Sequence, residues 1–189
     1  MTMETFKAFR LTETPEKKMR AEMVDTTLDQ LDAHEITVRV AYSSVNYKDA
    51  LAATGKGKIL RRASCIGGID FSGTVVSSAD PRFAKGDAVL TVGGEYVGVS
   101  HDGGYSAYAR VRGDWIAKVP QGLSLWEAMA LGTAGYTAGI AVVRMEHNGL
   151  EPANGPVIVS GATGGVGSVA IAILAKRGYH VVALTGKSD

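Results

Sequence analysis

Residues 156–184 constrain the fold more than any other part of the chain. An apolar, β-branched run (Val157, Ile158, Val159) leads into the turn Gly161-Ala162-Thr163-Gly164-Gly165-Val166-Gly167. An apolar run of helical length continues to Gly178, and His180-Val181-Val182-Ala183-Leu184 is again strand-like. Strand, glycine turn, helix, strand is a βαβ unit, whose crossover makes the two strands parallel. The fold class is therefore α/β, and this stretch opens a doubly wound sheet.

The glycines have mechanical roles. Read as A-x-G-x-x-G, Ala162 takes the tight-turn position and Gly164 lets the backbone approach a pyrophosphate. Gly167 lets the helix lie close to the strand. A helix starting near Gly165 points unpaired N–H groups, and the positive end of its dipole, at an anion. Thr163, Gly164, Gly165, Val166 and Gly167 are thus the expected pyrophosphate cradle. The second strand ends in Thr185-Gly186-Lys187-Ser188, with no carboxylate to accept a ribose 2′-OH; Asp189 lies several residues beyond. A hydroxyl, a residue without a side chain and a cation suit a 2′-phosphate instead. The expected cofactor is NADP(H), with Thr185, Gly186 and Lys187 on its adenosine phosphate. Gly186-Lys187-Ser188 resembles the tail of a P-loop, but residue 181 is Val where the first glycine belongs, so an NTPase is excluded.

Composition narrows the remaining choices. The 189 residues suffice for one to two domains, and 46% apolar with 21% charged residues supports packed cores rather than disorder. A net charge of +1 argues against a nucleic-acid partner or a basic membrane-surface protein. The lone Cys65 rules out an internal disulfide and a Cys-rich zinc site. No apolar run reaches membrane-spanning length, and Glu4 and Lys7 interrupt any apolar signal region. A soluble cytoplasmic protein is expected. Only the first βαβ of a doubly wound fold is present, so the chain reads as the N-terminal portion of a longer protein.

Upstream, residues 6–11 read as a strand and residues 12–18 as a polar turn. In residues 35–43, Ile36, Val38, Val40 and Tyr42 alternate with polar positions, a strong strand signal. Asn46 is placed to cap a short helix. Residues 54–62 form a loop carrying Lys56, Lys58, Arg61 and Arg62, either a solvated face or a landing site for a polyanion. Further strands are expected over 69–77 (containing Asp70), 88–92, 105–111 and 115–119, which together suggest a barrel-like β domain. Ser124 with Glu127 makes a capping box, with Leu125, Met129 and Leu131 facing inward. A second helix is expected over 134–148, stopped by Gly149. The domain boundary is placed near residue 124. No nucleophile elbow occurs, and His34, His101, His147 and His180 lie far apart in the sequence without metal-ligand spacing, so no metal site is expected.

With these motifs in view, the chain resembles the zinc-independent medium-chain dehydrogenase/reductases, in particular the YhdH-type quinone oxidoreductase group that includes NADPH-dependent acryloyl-CoA reductase. The resemblance rests on Asn46-Tyr47-Lys48-Asp49, on Gly68-Ile69-Asp70-Phe71-Ser72-Gly73 and on Gly86-Asp87-Ala88-Val89. It continues through Gly103-Gly104-Tyr105-Ser106-Ala107-Tyr108, Thr133-Ala134-Gly135-Tyr136-Thr137-Ala138 and the glycine turn. It implies a GroES-like catalytic domain over residues 1–123 and the N-terminal part of a Rossmann NADP-binding domain over 124–189, with the active site in the cleft between them. By motif, Tyr47 touches the cofactor near the nicotinamide and is the expected catalytic residue, and Thr137 also contacts cofactor. Zinc-dependent relatives carry a Cys near residues 46–48 and Gly-His-Glu near 68–70. Neither is present, so Lewis-acid alcohol chemistry is not expected. Group members usually carry Pro where this chain has Gly67, which predicts a looser loop. The tyrosine acid that related enoyl reductases place around residues 55–58 is absent, leaving the proton donor unassigned.

The reaction this implies is NADPH-dependent reduction of an activated C=C bond, acryloyl-CoA to propanoyl-CoA, with the protein orienting substrate and stabilising the enolate oxygen. Asp49 reads as structural. The alternatives are an NADPH:quinone oxidoreductase or a nucleotide-binding module without catalysis. Partners are a small enone or acyl-CoA, with no nucleic acid and no membrane; a homodimer of the full-length protein is left open.

Overall fold

The structure is a computed structural model that describes residues 4–93 and 95–186. Lys187, expected on the adenosine phosphate, lies outside the described residues. The chain divides into two compact units, Met1–Thr133 and Ala134–Asp189.

The first unit is built on antiparallel strands. β1 (Phe6–Glu13) and β2 (Met19–Thr26) form a hairpin, and β4 (Ser64–Ile66) pairs with the other edge of β1. The strand β2 goes beyond the sequence reading, which has a polar turn over residues 12–18 and no strand directly after it. It is an edge strand with Arg20, Glu22 and Asp25 among its residues, so no apolar alternation marks it. A five-stranded sheet runs in the order β7 (Tyr108–Val111), β3 (Ile36–Tyr42), β5 (Phe71–Ser78), β6 (Ala88–Thr91), β8 (Ala117–Lys118). The residues just before β7 join the two sheets. Phe9 donates its N–H to the Tyr105 carbonyl at 2.8 Å, and Ala8 bridges Ser106. The alternation expected in β3 holds for Ile36 and Val38, both fully buried beside Phe71, Val75, Val89 and Val111. Register shifts between Thr37 and Val38 and between Val40 and Tyr42 end the pattern, and Tyr42 is exposed.

The helix α1 (Tyr47–Thr54) follows Asn46, and the longer helix α2 (Leu125–His147) starts at the expected capping box. There Ser124 Oγ and Glu127 Oε2 lie 2.7 Å apart, and the Ser124 N–H donates to the same carboxylate oxygen at 2.8 Å. Met129 is buried as expected, whereas Leu131 is exposed. Within α2 the helix is interrupted at Gly132, whose φ of 49° and ψ of −152° are non-helical. The unit division falls just after this kink rather than near residue 124. The reason is local packing. Ser72 Oγ donates to the Leu125 carbonyl at 2.7 Å, and Ala128 and Met129 are buried, so the first turns of α2 belong to the strand-rich unit.

The second unit holds β9 (Val157–Ser160), α3 (Gly165–Lys176) and β10 (Val181–Leu184), with β9 and β10 parallel and in register from Val157↔Val181 to Ser160↔Leu184. Leu174 and Tyr179 pack with Val142 against Val157, Val159 and Val181. Alternate residues, Ile158, Val182 and Leu184, are exposed on the strand pair. Arg177 grips Glu146 with two N–H groups, at 2.6 and 2.8 Å, tying the end of α3 to α2. Among the described residues no helix is long and apolar enough to cross a membrane.

Two glycines of α2 yield opposite predictions. A Cβ at Gly132 would sit 2.8 Å from Ser44 Oγ and 3.1 Å from Asp70 Oδ2, in a backbone conformation that L side chains avoid. Gly132→Ala should lower unfolding stability by about 2–3 kcal/mol. Gly139 has helical neighbours and nothing within 4 Å of an added Cβ. Gly139→Ala should therefore raise stability by about 0.5–1 kcal/mol. Urea titrations of the two variants check both signs.

Candidate functional site

Three of the sequence motifs converge on one carboxylate. Asp70 stands just ahead of β5 and has no exposed surface. Its Oδ1 accepts the Ser44 N–H at 3.0 Å. Its Oδ2 accepts Ser44 Oγ–H at 2.6 Å, Asn46 Nδ2–H at 2.9 Å, the Thr133 N–H at 3.0 Å and Thr133 Oγ1–H at 2.9 Å. A buried carboxylate is tolerable only when its lone pairs are filled in this way. The consequence is positional: the 43–49 segment, the start of β5 and the kink of α2 are fixed to one another. Thr133 Oγ1 also accepts the Gly93 N–H at 3.1 Å, and Lys48 Nζ reaches the Gly93 carbonyl at 3.4 Å.

Asn46 therefore does more than start a helix. Its amide serves Asp70 and Ser44, while its backbone N–H is capped in return by Asp49 Oδ2 at 2.9 Å. Asp49 is buried, and its Oδ1 accepts the Ile69 N–H at 3.0 Å, which supports the structural reading. Burial pushes the Asp49 carboxyl above the usual carboxylate range, opposed by the hydrogen bonds from Asn46 and Ile69. Tyr105 lies beside it and donates its O–H to the Ser44 carbonyl at 3.0 Å. Burial and the neighbouring Asp49 push the Tyr105 phenol well above its ordinary value, so it stays a donor. Tyr47, the expected catalytic residue, opens α1 and is 80% exposed, presenting its phenol to solvent rather than to the core.

The loop motifs behind this site pack backbone against backbone. Gly103, Gly104 and Tyr105 donate their N–H groups to the carbonyls of Ile66, Gly68 and Gly67 at 2.8, 2.9 and 2.9 Å. The looser loop expected at Gly67 is not what the structure has. Gly67 is buried and its N–H donates to the Phe9 carbonyl at 3.0 Å, a bond that proline lacks.

In the second unit the glycine turn leads into the N-terminus of α3. Thr163, Gly164, Gly165 and Val166 are exposed at the start of α3, where the first-turn N–H groups have no intrahelical acceptor. The left-handed residue is Gly161, at φ 63°, not the Ala162 of the sequence reading, which is buried. Gly167 is buried against that turn: a Cβ there would stand 2.3 Å from the Gly161 carbonyl oxygen. The close approach is thus between helix and turn. Thr137 is exposed on α2, and Thr185 and Gly186 are exposed after β10.

Sequence reasoning missed the roles of Ser44, Asp70, Tyr105 and Thr133. The available signal was a single charged residue inside the otherwise uncharged stretch 66–75, which is rich in Ile, Phe, Val and Gly and predicts a buried, fully bonded charge. The four histidines, far apart in the sequence and without metal-ligand spacing, read there as surface or satisfied structural residues. The fold brings His34 Nε2 and His101 Nδ1 to 3.4 Å. Of the basic loop, Arg62 is paired with Asp32 at 2.6 Å, whereas Lys56, Lys58 and Arg61 are exposed.

Asp70→Asn tests the hub. An amide keeps the shape but turns an NH2 group toward at least one of the five donors. The expected loss is about 2–4 kcal/mol of unfolding free energy, read from the urea midpoint.

Comparison with known proteins agrees with this architecture. The family model of the alcohol dehydrogenase GroES-like domain matches residues 32–121. YhfP of Bacillus subtilis is 55% identical over 161 residues, 85% of this chain and 48% of the relative. Acrylyl-CoA reductase AcuI of Ruegeria pomeroyi is 49% identical over 172 residues, 91% of this chain and 52% of the relative. The yhdH oxidoreductase of Salmonella enterica, crystallised in complex with NADP, superimposes with a TM-score of 0.92 at 49% identity, over 96% of this chain and 56% of that one. The crystal structure of YhfP, with NAD bound, gives a TM-score of 0.91 at 47% identity, over 98% and 56%. The chain spans about half the length of the curated relatives it matches. Over the half of their length that it spans, the chain is similar to the zinc-independent medium-chain dehydrogenase/reductases of the quinone oxidoreductase and acrylyl-CoA reductase group, and its residues 32–121 match the alcohol dehydrogenase GroES-like domain.

Proposed function

We propose that the full-length protein is an NADPH-dependent reductase of C=C bonds activated by a carbonyl or thioester, converting acryloyl-CoA to propanoyl-CoA. The observation that carries this reading is the exposed turn Thr163–Val166 at the mouth of α3, held by the contact of Gly167 with Gly161. Similarity to AcuI supplies the substrate class, and the NADP in the yhdH structure supplies the cofactor class.

The residues present fit a dinucleotide. The amides of Thr163, Gly165, Val166 and Gly167 supply donors and a positive helix end for a pyrophosphate, and Gly164, whose own N–H donates to the Gly161 carbonyl at 2.9 Å, lets the backbone come close to it. Thr185, Gly186 and Lys187 offer a hydroxyl, open backbone and a cation for a 2′-phosphate, with no competing carboxylate at the strand end. The NAD in YhfP makes NADH the competitor to test. The bound cofactor supplies a hydride. The protein's part is to orient the acceptor so that the hydride reaches the β-carbon, a proton reaches the α-carbon, and the thioester oxygen finds donors. Tyr47, exposed at the start of α1, and Thr137 on α2 are assigned to the cofactor, with Tyr47 as the donor nearest the chemistry. Exposed Lys56, Lys58 and Arg61 are assigned to the phosphates of the CoA carrier.

In a spectrophotometric assay of full-length protein, NADPH should be consumed with acryloyl-CoA and not with a quinone. Quinone turnover alone would make the protein a quinone oxidoreductase, and NADPH binding without turnover of either would leave a nucleotide-binding module. For cofactor choice, Lys187→Ala should weaken NADPH binding at least tenfold in a fluorescence titration while leaving NADH nearly unchanged. Equal losses for both would remove the 2′-phosphate assignment.

A further inference from the structure

Outside the site above, the fold builds a second cluster of coordinating side chains. Asp32 and His34 lie in the segment leading into β3, and His101 lies in the loop before Gly103. Two aspartates clamp these segments together. The Asp32 N–H donates to Asp102 Oδ2 at 3.1 Å, and the Asp102 N–H donates to Asp32 Oδ2 at 2.9 Å. Buried Cys65 donates its S–H to the His101 carbonyl at 3.0 Å, and burial pushes its pKa up to about 12, so it holds the loop as an inert thiol. Trp115 fixes both imidazoles from one side, with ring centroids 4.8 Å from His34 and 4.7 Å from His101.

We propose that Asp32, His34 and His101 form a binding site for a first-row divalent transition ion of the zinc class. The two ring nitrogens, His34 Nε2 and His101 Nδ1, are 3.4 Å apart. Two imidazoles on one tetrahedral zinc, at about 2.0–2.1 Å each, hold their nitrogens about 3.4 Å apart. Asp32 Oδ2 is 3.7 Å from His101 Nδ1, and one coordinating atom from each of the three residues lies within 4.8 Å of the other two. Two imidazoles and a carboxylate are a borderline-soft donor set that suits zinc, nickel or copper rather than calcium or magnesium. All three side chains are half-buried, which leaves a coordination position for water. Without metal, one ring donates its N–H to the other; on binding, the donating ring carries its proton on its other nitrogen and both facing lone pairs turn to the ion. The competitor is built in. Arg62 Nη1 donates to Asp32 Oδ2 at 2.6 Å, so a metal must share this carboxylate with a guanidinium. The site would staple the approach to β3 onto the 101–103 loop.

Calorimetric titration of zinc chloride into chelator-stripped, tag-free full-length protein tests this. One equivalent per chain is expected, weakened at least tenfold by His34→Gln and by His101→Gln and unaffected by His147→Gln and His180→Gln. Arg62→Gln, which frees the carboxylate, should tighten binding several-fold, an effect that scattered surface binding would not produce. Imidazole NMR of the unsubstituted protein gives a readout that does not rely on the variants folding: zinc should shift the His34 and His101 ring signals and leave those of His147 and His180 in place. No saturable binding, a site that survives both His34→Gln and His101→Gln, or zinc-induced shifts confined to other histidines would overturn the proposal.

Discussion

A carboxylate taken out of water costs several kcal/mol unless donors replace its hydration shell. Asp70 meets that condition with five donors on three residues from two separate stretches of chain, Ser44 and Asn46 in one and Thr133 in the other. Because the charge is buried, each donor must stay in place, and the backbone that carries it stays too. Asn46 then fixes the entry to α1, where Tyr47 and Lys48 stand. Thr133 fixes the chain directly after the Gly132 kink. The strand sheets supply the apolar core, but this one charge sets how the motif-bearing loops lie upon it.

Around it, glycines and hydrogen bonds replace side-chain packing. The 66–68 and 103–105 segments exchange backbone bonds at close range, and Tyr105 spans from there to the Ser44 carbonyl. Asp49 closes the ring by bonding the Asn46 and Ile69 amides. The second unit follows a different logic. A parallel strand pair and one helix bury Leu174 and Tyr179, while alternate strand residues Ile158, Val182 and Leu184 stay exposed. Its glycine turn is exposed where the glycine loops of the first unit are buried.

Local features were legible in the sequence and long-range ones were not. The alternation of Ile36 and Val38, the Ser124–Glu127 capping box and the βαβ pattern each depend on neighbours within a few residues, and each stands in the structure. Strand β2 escaped because an edge strand with solvent on one side needs no apolar alternation. The inward placement of Leu131 failed because helical periodicity breaks at Gly132, one residue later. The Asp70 partners and the His34–His101 pair are joined by tertiary structure alone, across intervals that carry no periodic signal. The A-x-G-x-x-G pattern puts the tight turn at Ala162, whereas the positive φ belongs to Gly161.

The buried Asp70 carboxylate holds the 43–46 segment and Thr133 as one assembly. Native-state hydrogen exchange at the backbone amides of Ser44 and Thr133 is the sharpest test, since both donate to that side chain. Both amides should exchange only through global unfolding, with opening free energies equal to those of core amides in β3 and β5. Exchange of either amide through local opening, at rates typical of exposed loops, would contradict it.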